Sequence, residues 1–434
     1  MKLSLIRPSM GGARATDAMP PLALGILAAR SPDWEVSLFD EKVEQIPKDD
    51  SPDLAAFSVE TFTARRAYAL ADDYRQRGVP VVMGGYHPSF LPEEALRHAD
   101  AVVVGDAEGV WEKLLEDFSH GRLQRLYRGD PKRTLADYRI DRSIFQHKPY
   151  APIELIQYGR GCRFACDFCS IHSFYGQEVR VRPLPQLRDE LTLLSQKRLL
   201  FFVDDNLFAS RRQLTAMLEM LTPMKLRWAC QISIDVARDK ALLDHMAAAG
   251  CRYALIGFES LDAGNLKQMG KPWNRVSGSY AEVIGQMHQR GIGVYGTFVF
   301  GYDADSVDTI RRSVEFAIES RLEIANFNPL TPTPGSALYD RLLLEQRLLK
   351  PGWWTDENYR YGDPIFTPRC ISAEDLAAEC FAAKRKFYSW KSIALRMLDS
   401  DTDWSLFGTG MTGIANLISR REIYNKQARL LGST

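Results

Sequence analysis

The sequence predicts an α/β protein built from two parallel sheets and a small, mainly helical C-terminal region. Short apolar runs alternate with longer amphipathic segments up to about residue 130, and again from residue 153. This alternation is typical of parallel sheets, because each crossover between parallel strands needs a helix. We predict a doubly wound, Rossmann-like domain, a partial (β/α)6 TIM-like barrel and an aromatic-rich helical region, at residues 1–135, 136–345 and 346–434.

The first domain contains five predicted strands and three predicted helices. The strands are Leu3–Ile6, Val36–Phe39, Leu54–Val59, Val79–Met83 and Ala101–Val104, and the helices are Pro21–Ala29, Ala64–Gln76 and Ala107–Asp117. Open sheets of this kind bind ligands at the carboxyl ends of their strands. Gly84 and Gly85 follow the fourth strand and allow the backbone to approach a ligand closely. A dinucleotide or nucleoside triphosphate site is not supported, because the sequence has neither GxGxxG in the first turn nor a Walker lysine.

The second domain contains six predicted strands separated by five predicted helices. The strands are Ile153–Tyr158, Leu199–Val203, Leu226–Ile232, Tyr253–Phe258, Gly293–Phe300 and Ile324–Asn328. The helices are Gln186–Gln196, Arg211–Leu221, Lys240–Ala249, Arg275–Arg290 and Val307–Glu319. Six such units predict a parallel sheet curled into a partial barrel.

Polar residues follow several of these strands at the point where each strand ends. They are Asp204, Asp205 and Asn206 after the second strand, Gln231, Ser233 and Asp235 after the third, Glu259 and Ser260 after the fourth, and Asp303 after the fifth. Reactive groups of barrels gather at the carboxyl ends of the strands, so we expect these side chains to lie close together. Two structural alternatives stay open: a helix N-cap for residues 204–206 and a salt-bridged strand end for Glu259.

Three cysteines, Cys162, Cys166 and Cys169, follow the first barrel strand in the cysteine loop (residues 158–169). Their spacing of four and three residues lets the thiols converge on one inorganic cluster, whereas a set of disulfides would leave one thiol over. Iron–sulfur clusters are held by closely spaced thiolates, and three thiolates would leave one iron open. A zinc site, which normally needs four protein ligands, and three simply buried cysteines are the alternatives. The remaining cysteines are scattered along the chain.

Cys-x3-Cys-x2-Cys with an aromatic residue before the last cysteine resembles the cluster loop of the radical S-adenosylmethionine (SAM) superfamily. The resemblance implies a [4Fe–4S] cluster on Cys162, Cys166 and Cys169, with SAM on the open iron. It also implies cofactor-binding roles for residues at the strand ends: Phe168 near the adenine, Asp204, Asp205 and Asn206 near the amino group, Glu259 and Ser260 near the methionine or ribose part, and Gln231 and Ser233 beside them.

The first domain resembles the cobalamin-binding domain that precedes the barrel in one radical SAM subgroup. The matching segments are Asp40-Glu41, Ser58–Glu60, Gly84–Pro88 and Val104–Glu108. The chain lacks the Asp-x-His-x-x-Gly motif, whose histidine binds cobalt in other cobalamin proteins. His87 is the remaining candidate cobalt ligand, although Pro88 beside it predicts a turn. A domain that kept this fold and lost cobalamin is the alternative.

The resemblance implies an enzyme that cleaves SAM, most simply a cobalamin-dependent C- or P-methyltransferase acting on a small biosynthetic molecule and reduced by flavodoxin or ferredoxin. No catalytic residue of the chain itself is assigned. The alternatives are transfer of the 3-amino-3-carboxypropyl group without cobalamin, and radical cyclisation or oxidation. A non-enzymatic iron–sulfur redox sensor or binding protein is a further alternative.

Composition narrows the expected partners. The 55 basic and 55 acidic residues give zero formal net charge, and no basic stripe is present, so nucleic acid is not an expected partner. We also expect no membrane association and a cytoplasmic location, because no spanning or signal segment is evident and cysteines are sparse.

Five further predictions concern single side chains and the C-terminal region. Arg180 and Arg182 either bind a carboxylate or form a solvated edge, and His172 is an incidental polar residue or a proton donor to substrate. A helix with a capping box at Ser372 runs to about Leu398, and a shorter one occupies Gly413–Leu430. The aromatic residues between 353 and 361 either fill a small core or belong to a lid over the barrel mouth.

Overall fold

The computed structural model of the protein describes residues 1–11, 15–208, 210–274, 279–397 and 406–432. It confirms the predicted class: two six-stranded parallel sheets with helices against them, followed by a helical C-terminal region. Among the described residues, no helix has the length and apolarity needed to cross a membrane.

The first sheet is the doubly wound one. Its strands lie in the order β2-β1-β3-β4-β5-β6, all neighbours parallel, and are β1 (Lys2–Arg7), β2 (Glu35–Asp40), β3 (Leu54–Ser58), β4 (Val81–Gly84), β5 (Ala101–Val104) and β6 (Leu126–Arg128). The chain winds outward from β1 in both directions, which creates a crevice at the carboxyl ends of β1 and β3. Strand β6 was not predicted because it has only three residues and ends in an exposed arginine.

Five helices accompany this sheet: α1 (Leu22–Ala29), α2 (Ala64–Gln76), α3 (Tyr86–Phe90), α4 (Pro92–Ala95) and α5 (Trp111–Ser119). The turn predicted at Pro88 is instead the one-turn helix α3. Proline is tolerated there because the first turn of a helix leaves its backbone N–H groups without intrahelical acceptors.

The second sheet is the partial barrel. Its strands follow one another in chain order: β7 (Ile153–Ile156), β10 (Leu199–Phe202), β11 (Trp228–Ile232), β12 (Cys251–Glu259), β13 (Gly293–Phe300) and β14 (Ile324–Pro329). A two-stranded antiparallel pair, β8 (Gly159–Arg160) and β9 (Arg180–Val181), stands beside the cysteine loop. Every neighbouring pair in the barrel is parallel, so all six carboxyl ends lie on one rim.

The barrel helices are α6 (Ser170–Tyr175), α7 (Leu184–Leu193), α8 (Arg211–Leu221), α9 (Ile234–Ala237), α10 (Lys240–Ala248), α11 (Ala263–Gln268), α12 (Tyr280–His288), α13 (Val307–Glu319) and α14 (Ala337–Leu344). Serine or aspartate side chains cap several of them. The helix predicted from Arg275 begins at Tyr280, because Ser279 forms its N-cap; residues 275–278 lie outside the described residues.

The C-terminal region consists of an aromatic segment and the helices α15 (Ala373–Phe387), α16 (Trp390–Met397) and α17 (Leu406–Lys426). Ser372 caps α15 as predicted, but the single helix predicted to Leu398 is divided into two at Tyr388, whose hydroxyl donates to the carbonyl oxygen of Ala325. Trp353, Trp354 and Tyr359 are buried in one hydrophobic core with residues of the first sheet. The aromatic segment thus fills a core against the first domain. The limits at residues 135 and 345 remain predictions.

Candidate active site

The cysteine loop lies at the carboxyl end of β7, on the rim where all barrel strands end. All seven cysteines are free thiols. Burial raises the pKa of Cys166 to about 12. The Lys271 ammonium lowers this pKa, whereas Cys169 and Cys162 are close enough to raise it further. Among the described residues, no three His, Cys, Asp or Glu side chains are arranged around a single metal ion. A cluster bonds each thiolate to a different iron, so these unpaired thiols fit a cluster.

The predicted residues at the end of β10 hold the backbone of the cysteine loop. The buried Asp204 carboxylate accepts hydrogen bonds from the N–H groups of Tyr158, at 3.0 Å, and Gly159. Asp205 accepts from the N–H of Gly161 at 2.8 Å. Helix α8 is capped by Ser210, so the alternative of an N-cap role for residues 204–206 is wrong.

Asn206 connects the loop to the next strand end. Its Nδ2 lies 3.8 Å from Cys162 Sγ and 3.2 Å from Ser233 Oγ. Gln231 Nε2 donates to the carbonyl oxygen of Asp205 at 2.9 Å. The structure therefore brings the predicted residues of β10 and β11 together behind the thiols.

Glu259 ends β12 with a backbone φ of 62°, a conformation that non-glycine residues rarely adopt and that concentrates at functional sites. Its Oε1 lies 2.9 Å from Lys271 Nζ, and both side chains are largely buried. The structure therefore shows Glu259 as a salt-bridged strand end, which was one of the two predicted alternatives. Ser260 is buried beside it, and its Oγ accepts from the N–H of Asp262 at 3.1 Å.

Lys271 is the residue of this site that the sequence reasoning missed. Burial disfavours its charge, but Glu259 and Cys166 outweigh burial and raise the pKa of Lys271. The available signal was a lysine between apolar residues in the segment 269–273, which follows α11. The Phe164 and Trp273 rings stack at 3.6 Å between centroids and attach this loop to the cysteine loop.

Four other predicted side chains lie in the cysteine loop or close to it. Phe168 packs against the barrel core, and its neighbour Asp167 is held by Tyr302 and Arg341. His172 Nδ1 is buried and has no hydrogen-bond partner among the described atoms. Arg180 and Arg182 do not form a solvated edge. Arg180 is paired with the Asp106 carboxylate, and Arg182 with that of Glu190.

A cavity of about 290 Å³, the interdomain cavity, opens at the carboxyl end of the first sheet. Its lining includes Ser58, Glu60, Gly84, Gly85, Arg160 and Tyr175. Gly85 has a φ of 108°, and a Cβ there would lie 2.7 Å from the Val59 carbonyl oxygen. Backbone rather than side chains forms this wall, as required where a cofactor approaches the sheet closely. The cavity lies at the strand ends where the sequence predicted the cobalamin site, and its glycine-lined wall suits close approach of a cofactor.

His87 does not line the interdomain cavity. Its imidazole is fully buried, with Nε2 3.0 Å from the Tyr68 hydroxyl and 3.1 Å from Glu94 Oε1. The candidate role as a cobalt ligand therefore has no support from this arrangement.

The cysteine loop is also joined directly to the first domain. Arg160 lies between Asp106, at 3.2 Å, and Glu108, at 2.6 Å, and all three side chains line the interdomain cavity. Tyr175 donates to Asp106 at 3.1 Å from the helix after the cysteines. Arg160 thus joins the cysteine loop to the wall of the interdomain cavity.

Two family models match the chain in consecutive segments. The B12 binding domain model matches residues 12–115, and the Radical SAM superfamily model matches residues 156–317.

Similar proteins extend over most of the chain. Bacteriochlorophyllide d C-12(1)-methyltransferase of Chlorobaculum tepidum is 28% identical over 422 residues, which cover 94% of this chain and 91% of that protein. Hopanoid C-2 methylase of Rhodopseudomonas palustris is 27% identical over 355 residues, which cover 76% and 66%. The structure of the radical SAM methyltransferase TsrM from Kitasatospora setae, with cobalamin and a [4Fe–4S] cluster bound, has a TM-score of 0.69 at 16% identity and covers 98% of both chains, which shows a common fold.

The matched domains agree with the geometry. The cysteine loop lies inside the radical SAM match, and the interdomain cavity is lined mainly by residues of the B12 match. The cofactors are accordingly a [4Fe–4S] cluster, SAM and cobalamin, and the protein is an enzyme of the transferase class. The chain belongs to the radical SAM superfamily, as a member with a B12 binding domain ahead of its radical SAM domain.

Proposed function

We propose that the enzyme is a cobalamin-dependent methyltransferase that moves a methyl group from SAM to a carbon atom of a small molecule. The observation that carries this proposal is the interdomain cavity, because Arg160 lines it and also belongs to the cysteine loop. The methyltransferases and methylases among the relatives support the same reaction.

The residues around the thiols have separate proposed roles. Cys162, Cys166 and Cys169 hold the cluster, which leaves one iron for the amino and carboxylate groups of SAM. The Lys271 ammonium lies close enough to lower the pKa of Cys166, and we assign it to the SAM carboxylate. Phe168 offers an apolar face to the adenine.

The surrounding residues orient the thiols and the cysteine loop. They are chiefly Asp204, Asp205, Asn206, Gln231 and Ser233. Their hydrogen bonds fix the backbone of the cysteine loop in a buried network, so little reorganisation accompanies SAM binding. When bound, the cluster supplies one electron to the SAM sulfonium and cobalamin carries the methyl group. Glu259 and Ser260 complete the site at the end of β12.

The same proposal includes the substrate, the electron donor and the location of the enzyme. A small molecule is the methyl acceptor, and a flavodoxin or ferredoxin supplies electrons in a cytoplasm that keeps the cluster reduced. Neither nucleic acid nor a membrane is a proposed partner, in keeping with the zero formal net charge.

The test is anaerobic purification with iron and hydroxocobalamin, followed by reduction with SAM and identification of the nucleoside products. We expect bound cobalamin, with both S-adenosylhomocysteine and 5′-deoxyadenosine as products. Methylthioadenosine would instead indicate aminocarboxypropyl transfer, and deoxyadenosine alone would indicate radical cyclisation or oxidation. Failure to cleave SAM, with the cluster assembled, would indicate a sensor or binding protein.

A further inference from the structure

A second cavity, the aromatic cavity, lies where the first domain, the end of the last barrel strand and the C-terminal region meet. Its volume is about 160 Å³. Five aromatic side chains of the first domain and the C-terminal region line it: Phe62, Tyr359, Tyr361, Phe366 and Phe381. An apolar cavity of about 150 Å³ is large enough to hold benzene, so the aromatic cavity has room for one ring.

The aromatic cavity has a buried floor and an open mouth. Tyr359 and Phe366 are each 2% exposed. Tyr361, Phe381 and Lys384 are partly exposed, so the cavity opens to solvent beside them. Protein interiors contain few voids larger than a water molecule. A space of this size with an entrance is therefore typical of a ligand site rather than of a packed core.

Ring contacts hold the walls of the aromatic cavity in place. The centroid of the Phe62 ring lies 4.8 Å from that of Trp353 and 5.8 Å from that of Tyr361. The Phe381 ring packs edge-on against Tyr424 of α17, at 6.1 Å between centroids. A ligand would therefore meet ordered side chains, which lowers the entropy cost of binding.

The position of the aromatic cavity suits a substrate. Asn328, near the end of β14, and Thr331 after it line the cavity, which places it on the rim where barrel enzymes bind their substrates. The segment after β3 contributes Glu60 to the interdomain cavity and Phe62 to the aromatic cavity. Two residues span at most about 7 Å, so the two cavities are neighbours.

The polar side chains of the lining restrict the chemistry of the ligand. Within the described parts of the chain, the Asn328 amide makes no hydrogen bond, so it is available to a polar group of the ligand. The Lys384 ammonium would repel a cation, so the rings do not form a cage for an ammonium ligand. Asp363 already accepts from the N–H of Arg360 at 2.9 Å. An uncharged ligand fits these side chains.

We propose that the aromatic cavity binds an uncharged aromatic ring of about benzene size, that a polar substituent of this ring forms a hydrogen bond with Asn328, and that the ring belongs to the methyl acceptor. The last part rests on the proposed function. The surrounding rings supply apolar and edge-to-face contacts, and the amide fixes the orientation of the bound ring.

The experiment titrates the cobalamin-loaded protein with 4-fluorophenol and with fluorobenzene, and follows binding by fluorine NMR. We expect the wild-type protein to bind both probes saturably. Ala377 of α15 lines the cavity, so the phenyl group of Ala377→Phe should fill it and abolish the binding of both probes. Ala378→Phe is the matched control and should keep both, because Ala378 is exposed on the same helix and does not line the cavity.

A second variant separates the ring from its substituent. Asn328→Leu keeps the approximate size of the side chain and removes its amide. It should weaken the binding of 4-fluorophenol about fivefold and leave that of fluorobenzene unchanged. Misfolding would affect both probes alike. Absence of binding to the wild type, or equal binding to the wild type and Ala377→Phe, would overturn the proposal.

The assignment of the ring to the methyl acceptor has its own measurement. Saturating 4-fluorophenol should change the rate of 5′-deoxyadenosine formation in the wild type and not in Ala377→Phe, because a ring in the acceptor site alters the exclusion of water from the reacting groups. Probe binding in the cavity with an unchanged rate would overturn this assignment. Absence of SAM cleavage in both proteins would contradict the proposed function alone, since the NMR titrations involve no SAM.

Discussion

Arg160 of the cysteine loop places its guanidinium 2.6 Å from the Glu108 carboxylate of the first domain, and both side chains are about 90% buried. Asp106 forms an ion pair with the same guanidinium and with that of Arg180. The segment that carries the thiols is therefore fixed to the wall of the interdomain cavity.

Removing the Arg160 guanidinium should destabilise the protein and weaken cobalamin binding. Arg160→Met leaves two buried carboxylates with fewer partners, which we expect to lower the free energy of unfolding by about 3–5 kcal/mol. Urea unfolding and a cobalamin titration measure the two effects. Arg198→Met is the control, because Arg198 is 53% exposed and its pair with Glu154 contributes less than about 1 kcal/mol. Equal stability of the two variants would contradict the role of Arg160.

The ion pairs of Asp106 predict a loss of stability in acid. Burial raises the pKa of Asp106, but Arg160 and Arg180 outweigh burial, so its pKa in the folded protein lies below the ordinary value. The stabilisation is therefore complete above pH 4 or so, the pKa of an unfolded aspartate, and is lost as the pH falls toward the lower folded value. Thermal unfolding between pH 7 and pH 3 should show a smaller acid loss for Asp106→Asn than for the wild type. Parallel pH profiles of the two proteins would disprove this contribution.

The three thiols of the cysteine loop should each be necessary for the cluster. Cys162→Ala, Cys166→Ala and Cys169→Ala should each reduce iron well below the roughly four atoms per chain of a complete cluster, because each removes the ligand of one iron. Iron and sulfide analysis after anaerobic reconstitution measures the number of iron atoms that each variant retains. Cys370→Ala should retain all the iron, since Cys370 is exposed and distant in sequence. Full iron content in any of the three loop variants would contradict the assignment.

Lys271 should contribute to SAM affinity without being needed for the cluster. Lys271→Met should weaken SAM binding at least about tenfold, because a charged hydrogen-bond donor is lost. Isothermal titration measures the affinity, and Lys267→Met, exposed on α11, is the matched control. Lys271→Met also leaves Glu259 buried and unpaired, so the double variant with Glu259→Gln separates instability from lost binding. Unchanged SAM affinity in Lys271→Met and in the double variant would exclude a role of Lys271 in SAM binding.

Gly85 should be irreplaceable for conformational and steric reasons together. Its φ of 108° and ψ of −173° belong to a region that only glycine adopts readily, and an added Cβ would approach Val59. Gly85→Ala should therefore lower the free energy of unfolding by more than Gly78→Ala, where φ is also positive but no atom lies within 4 Å of the added Cβ. We expect about 1–2 kcal/mol for the control and a larger loss for Gly85→Ala. Equal losses would show that contact with Val59 is unimportant.

Much of the fold was predictable because its signals are local. The spacing of apolar residues identified eleven of the strands, and the spacing of Cys162, Cys166 and Cys169 indicated a cluster before any fold was known. The helix boundaries that differ have local causes as well: Ser279 caps α12 where Arg275 was expected to begin the helix. Parallel topology then placed Asp204, Gln231 and Glu259 on one rim.

The sequence by itself determined the order of strands and helices, the three thiols and the polar residues on the barrel rim, because periodicity and spacing act between neighbours in the chain. Only the tertiary structure decided which distant charges meet. Glu108 and Arg160 are 52 residues apart, and the burial of Lys271 beside Glu259 depends on a loop packing over the end of β12. Such pairs leave no pattern along the chain, since a buried ion pair needs proximity in space and low solvent exposure, and both arise only when the domain or the pair of domains that carries the two charges has folded.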